Sequence, residues 1–112
     1  MANNKPDSNQ LRGVIINIAS TIALNSPPEF IAYGITKAAI VGMTLPLARA
    51  LACKGIRVVT IGPGFIDTPM TASHSPEVRK KWISSMLTPK RYGTSEEIAH
   101  FIEACIENPL VN

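Results

Sequence analysis

The chain alternates between short, continuous apolar runs and longer stretches whose apolar residues recur with helical period. Residues 1 to 12 are polar, with Pro6-Asp7 as a turn signal, and read as a loop leading into structure. Val14 to Ala19 (V-I-I-N-I-A) is a nearly unbroken β-branched run, the mark of a strand covered on both faces in a parallel sheet. After Pro27-Pro28 the period becomes helical from Glu29 or Phe30 to Ala52. Two stripes share that helix: Ala38, Val41, Leu45, Ala48 and Ala52 on one, Ile40, Met43, Leu47 and Leu51 on the other. A helix apolar around most of its girth packs on more than one side, here on the sheet and on a partner. Pro46 lies inside it and clashes with the carbonyl of Gly42, so one kinked helix is expected.

Lys54-Gly55 supplies a glycine C-cap, and Ile56 to Ile61 (I-R-V-V-T-I) is a second buried strand. Strand, helix and strand make a βαβ unit. The second strand runs into Gly62-Pro63-Gly64, a sharp loop where backbone can approach a ligand closely. Ser75-Pro76 is an N-cap followed by proline, opening a helix to about Leu87. Thr94-x-x-Glu97 fits a capping box, opening a last helix to about Glu107 with Ile98, Phe101, Ile102 and Cys105 as its buried stripe. The expected class is α/β, in the order β-α-β-α-α.

Composition changes this picture little. The chain has 112 residues, 46% hydrophobic and 17% charged, enough for one domain at most. The net charge of +3 is mild. The basic clusters Arg79-Lys80-Lys81 and Lys90-Arg91 read as solvated faces, and with few aromatics and no nucleic-acid motif such a partner is not expected. Cys53 and Cys105 sit in apolar helical patterns without metal-ligand spacing, so both are expected as buried free thiols and no metal is expected. No continuous apolar run approaches the roughly 18 residues that cross a bilayer, and no targeting segment is visible, which points to an intracellular protein without membrane contact.

The candidate chemistry lies between Asn17 and Lys37. Ser20 follows the first strand, and Tyr33 and Lys37 are four residues apart, which puts both on one helical face. In an open α/β sheet, ligands sit beyond the carboxyl ends of the strands, the edge that Ser20 and Gly62-Pro63-Gly64 both mark. A phenol works as an acid or base near neutral pH only where a neighbouring cation favours its phenolate. A serine hydroxyl beside it can hydrogen-bond a substrate oxygen as charge develops there. Taken singly, each feature has an ordinary explanation: an exposed Tyr-Lys pair, a strand-end serine, a turn. Their joint order carries the weight.

That joint pattern resembles the short-chain dehydrogenase/reductase family. Its members carry a serine at a strand end, then Tyr-x-x-x-Lys, then Pro-Gly-x-x-x-Thr after the next strand. Here these are Ser20, Tyr33, Lys37, Pro63-Gly64 and Thr68. Within the family, G-V-I-I-N-I-A-S, I-V-G-M-T-L-P-L-A-R and E-N-P-L look like type 2 3-hydroxyacyl-CoA dehydrogenases, also called 17β-hydroxysteroid dehydrogenase type 10. The likeness covers nearly the whole chain and is weakest from Gly64 to Pro89. It implies part of a Rossmann-type doubly wound parallel sheet. It further implies Tyr33 as the catalytic acid/base, Lys37 depressing its pKa while binding the nicotinamide ribose, and Ser20 polarising the substrate oxygen. Pro63, Gly64, Phe65 and Thr68 would line the nicotinamide pocket. NAD is the implied cofactor, with NADP left open, and an acyl-CoA or a steroid the implied substrate. A mitochondrial or cytoplasmic site and a homo-oligomer through the helix at 29–52 complete the picture.

Half of the family pattern is absent. The chain lacks Gly-x-x-x-Gly-x-Gly, an acidic residue for the adenosine ribose and an Asn-Asn-Ala-Gly segment, and stops before the family's last strand. Residues 1–112 are therefore expected to be a C-terminal catalytic part that binds NAD weakly alone. The competing readings are a truncated, non-catalytic isoform acting by association and an unrelated small α/β binding module.

Overall fold

A computed structural model describes all residues from Met1 to Asn112. Strand β1 (Gly13–Ile18) leads through two single-turn 3₁₀ segments, Thr21–Ala23 and Pro28–Phe30, into helix α1 (Ile31–Ala52). Strand β2 (Ile56–Ile61) follows, then α2 (Pro69–Ala72), α3 (Pro76–Ser85) and α4 (Ser95–Glu107). β1 and β2 form a two-stranded parallel sheet in register from Gly13↔Ile56 to Ile18↔Ile61. The β-α-β order and both strands agree with the apolar pattern.

The caps form as the sequence chemistry dictates. Ser75 Oγ accepts from the Val78 N–H at 3.3 Å, with Pro76 opening α3. At α4 the capping box closes reciprocally: Glu97 N–H donates to Thr94 Oγ1 (3.3 Å) and Thr94 N–H to Glu97 Oε2 (2.8 Å). Arg91 adds two further bonds to the same carboxylate, at 2.9 and 2.6 Å. These donors, Arg91 first and the Thr94 amide second, hold the Glu97 carboxyl at about 2, below its ordinary 4.5. Gly55 turns the chain out of α1 at φ +64°, and a Cβ there would meet the Gln10 carbonyl oxygen at 2.3 Å. Only glycine fits both demands.

α1 is one helix with Pro46 inside it, as the sequence pattern predicts. Four details depart from the sequence reading. The segment Pro28–Ala52, interrupted by glycines and polar residues, is nonetheless 25 residues long and apolar enough to cross a membrane by length and composition. Here one side of it packs against β2, where the Thr44 and Thr60 hydroxyls pair at 2.5 Å. Cys53 is exposed, because it falls on the C-cap of α1 beyond the packed turns; Cys105 is buried as expected. The short helix α2 is additional to the predicted elements, and Thr68-Pro69 carries the same cap-then-proline signature as Ser75-Pro76. α3 ends at Ser85, two residues early, where Met86 turns extended.

Packing is thin. Nine of 112 residues are buried, chiefly Ala19, Ala48, Ile56, Val58, Ile61 and Cys105 along the sheet and its covers. The accessible surface is 7742 Å², whereas a self-contained protein of this mass exposes about 6,000 Å². The radius of gyration is 16.6 Å, against about 13 Å for an independent domain of this length. Val41, Met43 and Leu45 of α1 are exposed. Both measures describe a body with faces that another body would cover.

Arg57, 6% exposed, ties α4 to the sheet. Its guanidinium donates to the carbonyls of Cys105 (2.7 Å), Ile106 (2.8 Å) and Val111 (2.7 Å), satisfying the end of α4. Replacing Arg57 by Leu should cost about 2–3 kcal/mol in urea unfolding, because buried carbonyls lose charged donors; a loss under about 0.5 kcal/mol would mean they find other partners. For Glu97, a depressed carboxyl stabilises the fold above its ordinary value, and that contribution is lost as pH falls from about 4.5 to about 2. The melting advantage of the natural chain over Glu97→Gln should therefore shrink across that window in a circular-dichroism series, and a constant gap would contradict it.

Candidate active site

Parallel pairing brings the carboxyl ends of β1 and β2 to one edge, and the site is built there. Past the strands the ladder continues: Ala19 N–H donates to the Ile61 carbonyl at 2.7 Å and Thr21 N–H to the Pro63 carbonyl at 3.0 Å. Ser20 is thereby fixed opposite the Gly62-Pro63 turn. Its Oγ accepts from the Ile22 N–H at 3.3 Å, which caps the first 3₁₀ turn and leaves the hydroxyl hydrogen free to point elsewhere.

Tyr33 and Lys37 lie in the first two turns of α1. The Lys37 ammonium donates to the carbonyl of Ile18, the last residue of β1, at 2.9 Å. It also lies 5.6 Å from the centre of the Tyr33 ring. One side chain thus pins the start of α1 to the strand end and sets a positive charge beside the phenol. Gly34, next to Tyr33, is buried against Ser26; a Cβ would meet its Oγ at 2.5 Å. That close approach seats the preceding loop on α1.

A cleft of about 390 Å³ opens on this edge. Five of the seven residues singled out from the sequence line it: Ser20, Tyr33, Gly64, Phe65 and Thr68. Lys37 and Pro63 do not line it; Lys37 stands beside the Tyr33 ring, and Pro63 contributes its carbonyl to the Thr21 amide. Gly64 borders open space, since a Cβ there would meet nothing within 4 Å. Thr71 anchors the far side: its hydroxyl donates to the Ile66 carbonyl at 2.6 Å and accepts from the Thr68 N–H at 3.0 Å.

Sequence reasoning named Phe65 but missed the aromatic cluster that packs on it. Phe65 stacks on Tyr92 (centroids 5.3 Å apart, 18° between planes) and packs on Trp82 at 5.1 Å, which reaches Phe30 at 6.0 Å. Four of the chain's six Phe, Tyr and Trp residues meet here, drawn from four separate segments. The Arg79 guanidinium covers the Tyr92 ring at 4.3 Å and pairs with Asp67 at 3.1 Å, and that carboxylate raises the Arg79 pKa. His74 also lines the cleft. No local spacing links these residues, so only their clustering in the fold identifies them.

The similarity of the chain to known proteins follows this geometry. Residues 2–105 match the family model described as enoyl-(acyl carrier protein) reductase. Over its full 112 residues the chain is 46% identical to 3-hydroxyacyl-CoA dehydrogenase type-2 of Drosophila melanogaster, covering 44% of that protein. It is also 46% identical over its full length to the Homo sapiens protein of the same name, covering 43% of it. The crystal structure of 3-hydroxyacyl-CoA dehydrogenase type-2 from Mycobacterium avium superposes on 99% of the chain with a TM-score of 0.94 at 34% identity, and the chain covers 43% of it. The chain therefore spans less than half the length of the relatives it matches, and its α/β layout is that of part of their fold. With a family model matched almost end to end and relatives of this identity, the chain belongs to the short-chain dehydrogenase/reductase family.

Proposed function

We propose that residues 1–112 are the C-terminal, catalytic part of a Rossmann-type oxidoreductase that interconverts a secondary alcohol and a ketone with NAD or NADP. The observation that carries this reading is the shared cleft of Ser20 and Tyr33, with the Lys37 ammonium 5.6 Å from the Tyr33 ring. In the direction of oxidation, Ser20 donates a hydrogen bond to the substrate oxygen while Tyr33, as phenolate, takes the hydroxyl proton. The Lys37 ammonium stands beside that ring, and its anchor on the Ile18 carbonyl keeps it in place. When bound, the nicotinamide supplies the hydride acceptor.

The residues present fit one end of such a cofactor. Tyr33 and Lys37, with Pro63, Gly64, Phe65 and Thr68, would hold the nicotinamide and its ribose, and the open space over Gly64 lets backbone approach a flat ring. Nothing in the chain resembles a glycine-rich turn for the pyrophosphate. A dinucleotide-binding half joined to these residues would complete the site. The names of the relatives support a 3-hydroxyacyl-CoA as substrate, with a hydroxysteroid as the alternative that the sequence resemblance carries. The exposed Val41, Met43 and Leu45 on α1 support a second subunit docking on that helix.

A second reading, a non-catalytic chain acting by association alone, draws on the same exposed helix and on the incomplete cofactor site. NAD titration by calorimetry separates the two requirements. The 112-residue chain alone should bind more weakly than about 100 μM; tighter binding would mean that the pyrophosphate half is dispensable. In an assembled enzyme that contains residues 1–112, Tyr33→Phe should abolish turnover while NAD affinity changes little. Retained turnover would remove Tyr33 from the acid/base role.

A further inference from the structure

The cleft contains a polar group that the proposed reaction does not use. His74 lines it together with the apolar Ile22, Phe65 and Met70. Its Nδ1 lies 3.2 Å from the Tyr92 hydroxyl, and its ring stands edge-on to both Phe65 (6.2 Å, 75°) and Tyr92 (6.4 Å, 87°). Those contacts fix the plane of the imidazole.

They also fix its proton. Tyr92 is 5% exposed, and His74 is the partner of its hydroxyl. A buried phenol that fails to donate loses more than an imidazole nitrogen left with an unused lone pair. Donation by the Tyr92 O–H to Nδ1 is the arrangement that satisfies the phenol, and it leaves the ring's own hydrogen on Nε2. That nitrogen has no partner within the chain and is not enclosed. Thr71 Oγ1, by contrast, is already bonded to the Ile66 carbonyl and the Thr68 amide.

We infer that His74, held by Tyr92, is a specificity-determining hydrogen-bond donor, which selects substrates carrying a second acceptor oxygen besides the one that reacts. This rests on the reading of Ser20 and Tyr33 as the pair that faces the reacting oxygen. A 3-hydroxyacyl or 3-oxoacyl thioester has such an oxygen in its thioester carbonyl. A substrate with no second acceptor close to the reacting oxygen leaves the Nε2 hydrogen unpaired when water is expelled, which penalises it. The inference therefore favours thioesters oxygenated at the 3-position over alcohols whose other oxygens lie far from the reacting one.

Two measurements on the full chain test this. Long-range ¹H–¹⁵N spectra distinguish the tautomers of the chain's two histidines, His74 and His100. His74 should hold its hydrogen on Nε2, and Tyr92→Phe should return it to the tautomer mixture of exposed His100. A mixture at His74 in the unaltered chain would overturn the inference. The second uses Trp82, the only tryptophan, which packs on Phe65 and Phe30 of the cleft. Its fluorescence should report the 3-oxobutanoyl thioester of N-acetylcysteamine binding about five- to tenfold more tightly than the matching thioether, which keeps the ketone but lacks the second carbonyl. His74→Leu should erase that preference, and His74→Gln, which keeps a donor, should restore much of it. Equal affinities in the unaltered chain, or a preference that survives His74→Leu, would sink the idea. Neither readout requires hydride transfer, so failure of the oxidoreductase reading would show separately, as absent turnover in the assembled enzyme.

Discussion

Two backbone hydrogen bonds beyond the strands, Ala19 to Ile61 and Thr21 to Pro63, are what the cleft depends on. Strand pairing alone would bring β1 and β2 side by side and leave their exits free to splay. Continuing the ladder for three more residues locks Ser20 to the Gly62-Pro63 turn, so that whatever follows each strand must start from a common edge. Lys37 completes the frame from the helix side by bonding the Ile18 carbonyl. The same lysine is therefore both a strut and a charge. Its positive end is immobilised by a neutral acceptor rather than neutralised by a carboxylate, which keeps its field available to the neighbouring phenol.

The aromatic wall performs the opposite task from the ladder. The hydrogen bonds set positions along the sheet edge, whereas Phe65, Trp82, Tyr92 and Phe30 hold α3 and the 88–93 segment against it without directional backbone pairing. Aromatic contacts of this kind tolerate small shifts and still exclude water. The cleft thus has a rigid polar edge on one side and an adaptable aromatic cluster on the other.

Much of this was legible in the sequence, for reasons that differ by element. β1 and β2 announced themselves as unbroken β-branched runs, V-I-I-N-I and I-R-V-V-T-I, although only β2 is largely buried while β1 is half-buried and ends on the exposed Ile18. The caps at Ser75 and Thr94 are local chemistry and formed as written. The edge holding Ser20, Tyr33 and the glycine loop followed from strand direction alone. What stayed hidden depends on long-range packing. The His74–Tyr92 bond spans eighteen residues, and the stack on Phe65 draws on segments with no common period. Cys53 illustrates the converse: the apolar pattern continues to the end of α1, but the sheet beneath it does not, so the last residue emerges into solvent. The segment ending in α1 is of membrane length without being an unbroken apolar run, because Lys37, Pro46 and Arg49 interrupt it without lowering its average enough.

The outer edge of β2 has one more property. The Val58 amide, pointing away from β1, is met by the side-chain oxygen of Asn112 at 2.8 Å. A side-chain amide here stands where the carbonyl of a neighbouring strand would stand. It satisfies the donor, but it can swing aside by rotating about its own bonds, without disturbing any backbone. The sheet is thus closed on that side by a latch rather than by a strand. One place in what would otherwise be a backbone ladder is filled from a side chain, a bond that depends on a rotamer as well as on strand register.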